Sequence, residues 1–373
     1  MKVVLMVTMS PLKFDSRVDR EASALVDAGY KVFVLGLAPF PENPTWTPIE
    51  VGMVAISKSS AGKRSSGFWR FIKYLTLVPY RYLKRQKFIK RVRRKIKEIR
   101  DLTVIDIIHA HDLPALEATK PFHKEFLLIY DSHELWTGRK LKGLGSRFEL
   151  LRDTRIEALQ VQHANVVITV SGQLAEELTD KFGQEVQVIR NTFPISKENP
   201  PREVNYLAYA GNIAEGRDLK TVIDGASKAD IDIKLMGRKI SNLELKPPLE
   251  VADHGTVEEA GKFLRDGGIA VVSLESGIEN HLRALPNKLL QAVAEGVPVV
   301  AADFPAIAEI VRSNNLGVLY EPGDSFSFAN SVKQVCEDHS NFVENTLIAR
   351  KTVCWSLDSE HLRSIYAKIC AEQ

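Results

Sequence analysis

A chain of 373 residues with 45% apolar and 26% charged side chains has the balance of a soluble globular protein, and its length exceeds one ordinary core, so two α/β domains are expected. Its three cysteines, Cys336, Cys354 and Cys370, lack metal-ligand spacing and the even count of a disulfide framework, which points to a reducing compartment, and no run approaches the roughly 20 apolar residues that cross a bilayer. The formal charge of +3 conceals an asymmetry, because residues 58–100 hold 16 Lys and Arg against the single acid Glu98 while the remainder holds 34 basic and 46 acidic residues.

The opening run VVLMVT is expected as a buried first strand, since it leads straight into SPLKFDSRVDREASAL without a small-residue cleavage site. An amphipathic helix follows from about Ser16 to Ala28, is stopped by Gly29 and gives way to the strand VFVLGLA. In the basic segment, Ile89, Val92, Ile96 and Ile99 recur at three and four residues, which predicts a helix with an apolar stripe and a basic surface elsewhere. Trp69, Phe71, Tyr74, Tyr80 and Tyr82 cluster around its start. Together with the charge they predict peripheral attachment of residues 69–100 to an anionic membrane; no recognised module accompanies the charge that would favour nucleic acid.

VIDIIHAH, FLLIYDSHE and NVVITVS continue the strands. His109 and His111 are expected in core packing, and Ser171 as a helix cap rather than a nucleophile, for no G-x-S-x-G elbow surrounds it. Near Arg190 the proline-bearing IRNTFPISKENPPREVN reads as a linker. A second series then runs through YLAYAG, IKLMG, LEVADHG, IAVVSLE, VPVVAAD and LGVLYEP. The pattern predicts an α/β fold of two doubly wound parallel-sheet domains, residues 1–190 and 191–355, with a helix over 356–373 crossing back to the first.

In such sheets ligands bind beyond the carboxyl ends of strands. That directs attention to Ser10 to Arg17, Asp131 to Trp136, Gly211 to Arg217, Gly237 with Arg238, Gly255 with Thr256, and Glu275 to Lys288. The richest stretch is ALPNKLLQAVAEGVPVVAADFPAIAEIV. There Pro286 and Asn287 form a turn, and a helix begins at about Lys288 with unpaired amides beside a lysine, an anion site suited to a diphosphate. Gln291, one turn on, can reach a ribose hydroxyl. The D-x-D of Asp230 and Asp232 precedes its strand, at the wrong end for a metal site, and no metal ligand is expected.

This stretch resembles glycosyltransferase family 4, a GT-B family whose members commonly read PNKLFEYMAAGLPVV here. DSRVDREASALVDAGYKVFVL is similar to the family's first helix and second strand, YDSHELW to its histidine loop, and LAYAGNIAEGRDLKTVIDG to its phosphate loop. The resemblance implies two Rossmann-like domains facing across a cleft, the first on the acceptor side and the second binding the nucleotide sugar. It implies transfer of a sugar from a UDP or GDP sugar to an acceptor hydroxyl with retention, without a metal. His133, Arg217 and Lys288 take the catalytic roles in this comparison. Gly211, Asn212, Gly237, Arg238, Gly255, Thr256, Pro286, Asn287, Leu289 and Gln291 line the donor, and Asp131, Glu134 and Arg17 belong to the acceptor side. Arg283 and Gln291 stand where the family has two glutamates, and Asn212 where many members have arginine. The implied acceptor is a lipid-linked or polysaccharide precursor of envelope glycan, handled in the cytoplasm at the inner face of the plasma membrane. The rival readings are a non-hydrolysing sugar-nucleotide 2-epimerase, whose signature carboxylates are not apparent, and a non-catalytic GT-B partner subunit, which the Arg283 and Gln291 departures favour.

Overall fold

Val3 to Val7 bury every side chain, as a strand covered on both faces must. In the computed structural model this strand, β1 (Val3–Pro11), lies inside a parallel sheet. The structure describes residues 1–52, 67–139, 141, 143–240, 249–253 and 255–371, without the side chains of 67–74 and 250. Beside β1 run β2 (Lys31–Leu37), β3 (Thr47–Glu50), β4 (Ile107–His111), β5 (Leu127–Ser132), β6 (Val166–Thr169) and β7 (Val186–Val188). Their order is β3-β2-β1-β4-β5-β6-β7, with all pairs parallel.

The intervening helices are α1 (Ser16–Asp27), α2 (Gly67–Arg100), α3 (Asp112–Thr119), α4 (Ser146–Val161) and α5 (Gly172–Phe182). The Asp15 carboxylate accepts the Val18 amide at 3.3 Å to start α1, whose Val18, Ala22 and Leu25 are buried. Ile89, Val92, Ile96 and Ile99 of α2 are buried as their spacing predicts, and Phe88 joins them.

One part of the basic surface expected on α2 is not surface. Arg85 is buried and pairs with Glu117 at 2.6 Å and Asp153 at 2.9 Å. Arg93 donates to the Glu117 and Ala118 carbonyls at 2.9 and 3.3 Å. The reason is local: α3 ends against α2, and its last carbonyls need donors that the helix itself cannot supply. Tyr80 and Tyr82 are exposed, whereas the side chains of Trp69, Phe71 and Tyr74 and the start of the basic segment, residues 58–66, lie outside the described residues.

The second sheet comprises β8 (Tyr206–Ala210), β9 (Ile233–Met236), β10 (Glu250–Ala252), β11 (Gly268–Val272), β12 (Val299–Ala302) and β13 (Gly317–Tyr320). They are parallel in the order β10-β9-β8-β11-β12-β13. With them come α6 (Leu219–Ala229), α7 (Val257–Gly267), α8 (Asn287–Glu295), α9 (Pro305–Asn314), α10 (Ser325–Glu337), α11 (His339–Ala349) and α12 (Trp355–Ala371).

The contacts divide the chain into two units, Met1–Val170 with Leu174–Ile189 and His361–Gln373, and Ser171–Gln173 with Arg190–Glu360. The chain thus returns to unit 1 within α12. Each sheet reverses its strand order once, between β1 and β4 in unit 1 and between β8 and β11 in unit 2, and such switch points are where open α/β sheets bind ligands.

Candidate functional site

At the unit 1 switch point the register does the assembling. His111 at the end of β4 is paired with Asp131 on β5, so His111 Nδ1 lies 3.1 Å from Asp131 Oδ2. His109, two residues earlier on the same face, stacks on the His111 ring at 4.2 Å and hydrogen-bonds the Tyr366 hydroxyl at 2.8 Å. His133, just past β5, places Nε2 2.8 Å from Asp131 Oδ2, and Nδ1 3.6 Å from Asp112 Oδ2. Asp112 begins α3 with a left-handed backbone, φ 62°, and accepts the His133 amide at 3.1 Å.

From α1, Arg17 donates to both oxygens of Asp131 at 2.7 and 2.9 Å and to the Ile189 carbonyl at 2.7 Å, and it pairs with Glu21 at 3.0 Å. Burial works against charge on Asp131, yet Arg17 and then His133 hold its pKa well below the usual carboxylate range. Burial likewise opposes charge on His133, but Asp112 and Asp131 outweigh it and raise the imidazole to about 10. One ring nitrogen hydrogen-bonded to a carboxylate and the other 3.6 Å from a second is a geometry that stabilises an imidazolium. Glu21 is raised by burial, with Arg17 pulling the other way, and His109 is lowered by burial and by His111.

Glu21, His109, His111 and Asp131 bring four ligand-type atoms within 4.8 Å of one another. The guanidinium of Arg17 already lies against both carboxylates, so we read the group as a salt-bridged network that fixes His133. Arg17 and Asp131 were expected at an acceptor. In the structure both are buried and engaged with each other, and Asp131 also meets His133. Glu134 is half-buried with an ion pair to Arg139 at 3.7 Å.

At the unit 2 switch point, β8 runs into Gly211. The Gly211 amide donates to the Met236 carbonyl at 2.9 Å, and a Cβ on Gly237 would stand 1.9 Å from the Gly211 carbonyl oxygen. Only bare backbone lets these two loops meet. Lys288 reaches the same place from the first turn of α8. Its Nζ is 4.0 Å from the centre of the Tyr209 ring and 3.7 Å from where a Gly211 Cβ would be. It is buried with no hydrogen-bond acceptor among the described residues. Burial, then the neighbouring Arg217, holds its pKa well below the ordinary lysine value.

Arg217 is positioned through its backbone, whose carbonyl accepts the Ser273 hydroxyl at 2.6 Å. Beside them His281 packs near Gly216, its Nδ1 2.7 Å from the Glu275 carbonyl. Burial, reinforced by Arg217 and Lys288, lowers its pKa. Two cations, a glycine turn and the first amides of a helix are together suited to holding an anion by ordinary electrostatics.

The other expected donor contacts divide. Pro286 precedes α8 as its N-cap residue, and Asn287 accepts from Asn191 at 2.8 Å. The Leu289 amide donates to the Pro286 carbonyl at 3.0 Å at the helix start. Gln291 turns its amide to the Val257 carbonyl at 2.8 Å. Thr256 caps α7 reciprocally with Glu259, and Gly255 lies so close that a Cβ there would be 2.9 Å from Glu259. Helix capping therefore accounts for both. Asn212 and Arg238 are exposed, and the Arg238 carbonyl accepts the Ile213 amide at 2.9 Å. The Ser171 hydroxyl donates to the Arg283 carbonyl at 2.9 Å within unit 2.

Sequence reading missed His111, Asp112, Glu21, Tyr209 and His281. The only available signal was position, since His111 ends a strand and Asp112 follows it, Tyr209 precedes the loop at Gly211, and His281 lies within the stretch Glu275 to Lys288.

Comparison with known proteins adds the following. A family described as "Glycosyl transferases group 1" matches residues 206–338, and one described as "Glycosyltransferase Family 4" matches residues 16–197. The amylovoran biosynthesis glycosyltransferase AmsK of Erwinia amylovora is 24% identical over 114 residues, so the match spans 31% of this chain and 28% of that relative's length. Among solved structures, the sucrose-phosphate synthase of Thermosynechococcus elongatus superposes with a TM-score of 0.70 at 14% identity, covering 100% of both chains. HepE from Anabaena, solved in complex with UDP, superposes with a TM-score of 0.69 at 14% identity, again over 100% of both. At such identities these two show likeness of fold.

Proposed function

Because the chain belongs to the glycosyltransferases of group 1 and family 4, with their GT-B fold, we propose that it transfers a sugar from a nucleoside-diphosphate sugar to an acceptor hydroxyl with retention of configuration. The observation that carries this is the buried Lys288 ammonium, which lacks a hydrogen-bond acceptor among the described residues and sits beside Gly211 and Arg217. A buried cation without a partner is costly, and a diphosphate is the group whose charge and size relieve that cost at a helix start. In this reading Lys288, Arg217 and the first-turn amides of α8 stabilise the charge that grows on the leaving diphosphate, in place of a metal. Tyr209 holds the Lys288 ammonium against its ring, and His133 is the catalytic residue of unit 1.

The acceptor is a lipid-linked or polysaccharide precursor of envelope glycan, a reading supported by the AmsK relative, a protein of amylovoran biosynthesis. A UDP sugar is the first donor to try, since HepE is solved with UDP and with UDP-glucose. No described helix is long and apolar enough to cross a membrane. The protein works on the cytoplasmic side of the plasma membrane, held at its inner face by basic and aromatic side chains.

The test is incubation of the purified protein with UDP and GDP sugars, with and without a lipid-linked acceptor extract. Acceptor-dependent release of nucleoside diphosphate, with a product of unchanged anomeric configuration, is expected. A new sugar nucleotide formed without acceptor would mean epimerisation. Donor binding with no turnover under any condition would favour a non-catalytic partner, for which Gln291, its amide held by Val257, is the observation to weigh.

A further inference from the structure

Helix α4 is built with its polarity reversed. Its acids face inward: Glu149 pairs with Arg81 at 2.5 Å, Asp153 accepts the Trp136 indole at 2.8 Å and pairs with Arg85 at 2.9 Å, and Glu157 accepts the Tyr130 hydroxyl at 2.7 Å and pairs with Lys181 at 2.6 Å. All three carboxylates are buried. The exposed residues of α4 are Arg147, Phe148, Leu151, Arg155 and Leu159, with Phe148 77%, Leu159 71% and Leu151 54% exposed.

Positions 148, 151, 155 and 159 follow one another at three and four residues, which aligns them in a single stripe. Leu144, 60% exposed, lies just ahead of it. Large apolar side chains scattered singly over a surface need no explanation, but a helical stripe of them with arginines between does.

We propose that this face of α4 is the membrane-inserting surface of the protein, with Phe148, Leu151 and Leu159 entering the acyl boundary of an anionic bilayer and Arg147 and Arg155 engaging its headgroups. The proposal rests on the peripheral-membrane reading above and relocates its contact. The regular apolar stripe of α2 is part of the core and is not available to lipid. From α2, the exposed Tyr82 and Leu83 and the exposed Lys84, Lys87 and Lys90 extend the same chemistry, and Arg152 of α4 lies over the Tyr82 ring at 5.1 Å.

Charge decides between occupants. Among the described residues of α4 every exposed charge is positive, which suits anionic lipid. A two-fold contact with a second copy would bring Arg147 and Arg155 against each other.

The experiment measures binding of the full chain to vesicles of phosphatidylcholine alone and of phosphatidylcholine with phosphatidylglycerol, for the wild type, for the triple variant Phe148→Ser, Leu151→Ser, Leu159→Ser, and for Lys84→Glu with Lys87→Glu. A fourth protein, Phe148→Trp, reports insertion by a blue shift of its added emission. Expected are binding to the anionic vesicles only, a loss of about tenfold or more in the triple variant, and a blue shift in Phe148→Trp.

If the wild type binds anionic vesicles but the triple variant binds equally well and Phe148→Trp stays unshifted, the α4 assignment is overturned while the membrane reading stands. If the wild type binds neither vesicle, both are overturned. A concentration-dependent dimer that the triple variant abolishes, without vesicle binding, would assign the stripe to a second copy instead. These side chains are exposed, so unchanged thermal melting is expected in all variants and confirms that the comparison is of folded proteins.

Discussion

Lys288 has an ammonium in a place where charge is unwelcome until an anion arrives, and this makes the residue testable in two ways. Lys288→Ala or Arg217→Ala should lower turnover or donor affinity by about one to three orders of magnitude, the range for losing one charge-assisted contact in a dry site; near-native kinetics in both would refute the assignment. The second test is pH. Because burial and Arg217 depress the Lys288 pKa, the free protein loses that proton at lower pH than an ordinary lysine, and a bound diphosphate restores it. Nucleotide affinity should fall as pH rises, with net proton uptake on binding, measured by calorimetry in buffers of different ionisation enthalpy.

His133 runs the other way, its imidazole raised to about 10 by Asp112 and Asp131 against the effect of burial. The stabilisation it gives is complete below the ordinary histidine value and is lost as pH climbs through about 10. Its proton resonances should therefore show no titration between about pH 6 and 8. Asp112→Asn should lower the midpoint by about one unit or more. A wild-type midpoint near the ordinary value of about 6.5 would sink the imidazolium reading, and with it the role given to His133.

At the scale of elements, the donor-side loops depend on strand ends that almost touch. Gly237→Ala forces a Cβ onto the Gly211 carbonyl, 1.9 Å away before relaxation, and neither backbone can yield without breaking the Gly211 to Met236 hydrogen bond. The expected cost is about 2 kcal/mol or more, read from urea unfolding, together with weakened nucleotide binding. Unchanged stability would show that the loops are more loosely joined than they look. Helix α2 shows what periodicity does and does not reveal: Ile89, Val92, Ile96 and Ile99 announced the buried face, but nothing in their spacing could say that Arg85 would turn inward. That depended on Glu117 and Asp153, which lie in other helices. Helix α4 is the sharper case, because its apolar residues also have helical spacing yet face outward.

Across the whole molecule, the chain end is part of unit 1. Tyr366 of α12 is fully buried and hydrogen-bonds His109 at 2.8 Å, so Tyr366→Ala should remove about 3 kcal/mol or more from the stability of that unit, seen in chemical denaturation followed by a unit 1 probe. No loss would mean that the returning helix contributes little.

The strands, the main helices and the two-sheet class were legible from the sequence, because alternation of apolar runs with amphipathic segments is a local pattern with a single packing solution. The edge strands β3 and β7 escaped, because TPIE and VQV carry no apolar run. The strand-end loops at the two switch points were also legible, since parallel sheets always offer the ends of their strands. What only the tertiary structure decided is which groups meet there: that His111 and Asp131 are register partners, that Arg17 pairs with Asp131, and that α4 turns its acids in to Arg81, Arg85 and Lys181 and so wears its apolar side chains outside. Each of these is a pairing between residues distant in the chain, and a one-dimensional pattern contains the period of a helix or strand but not the identity of the neighbour against which it packs.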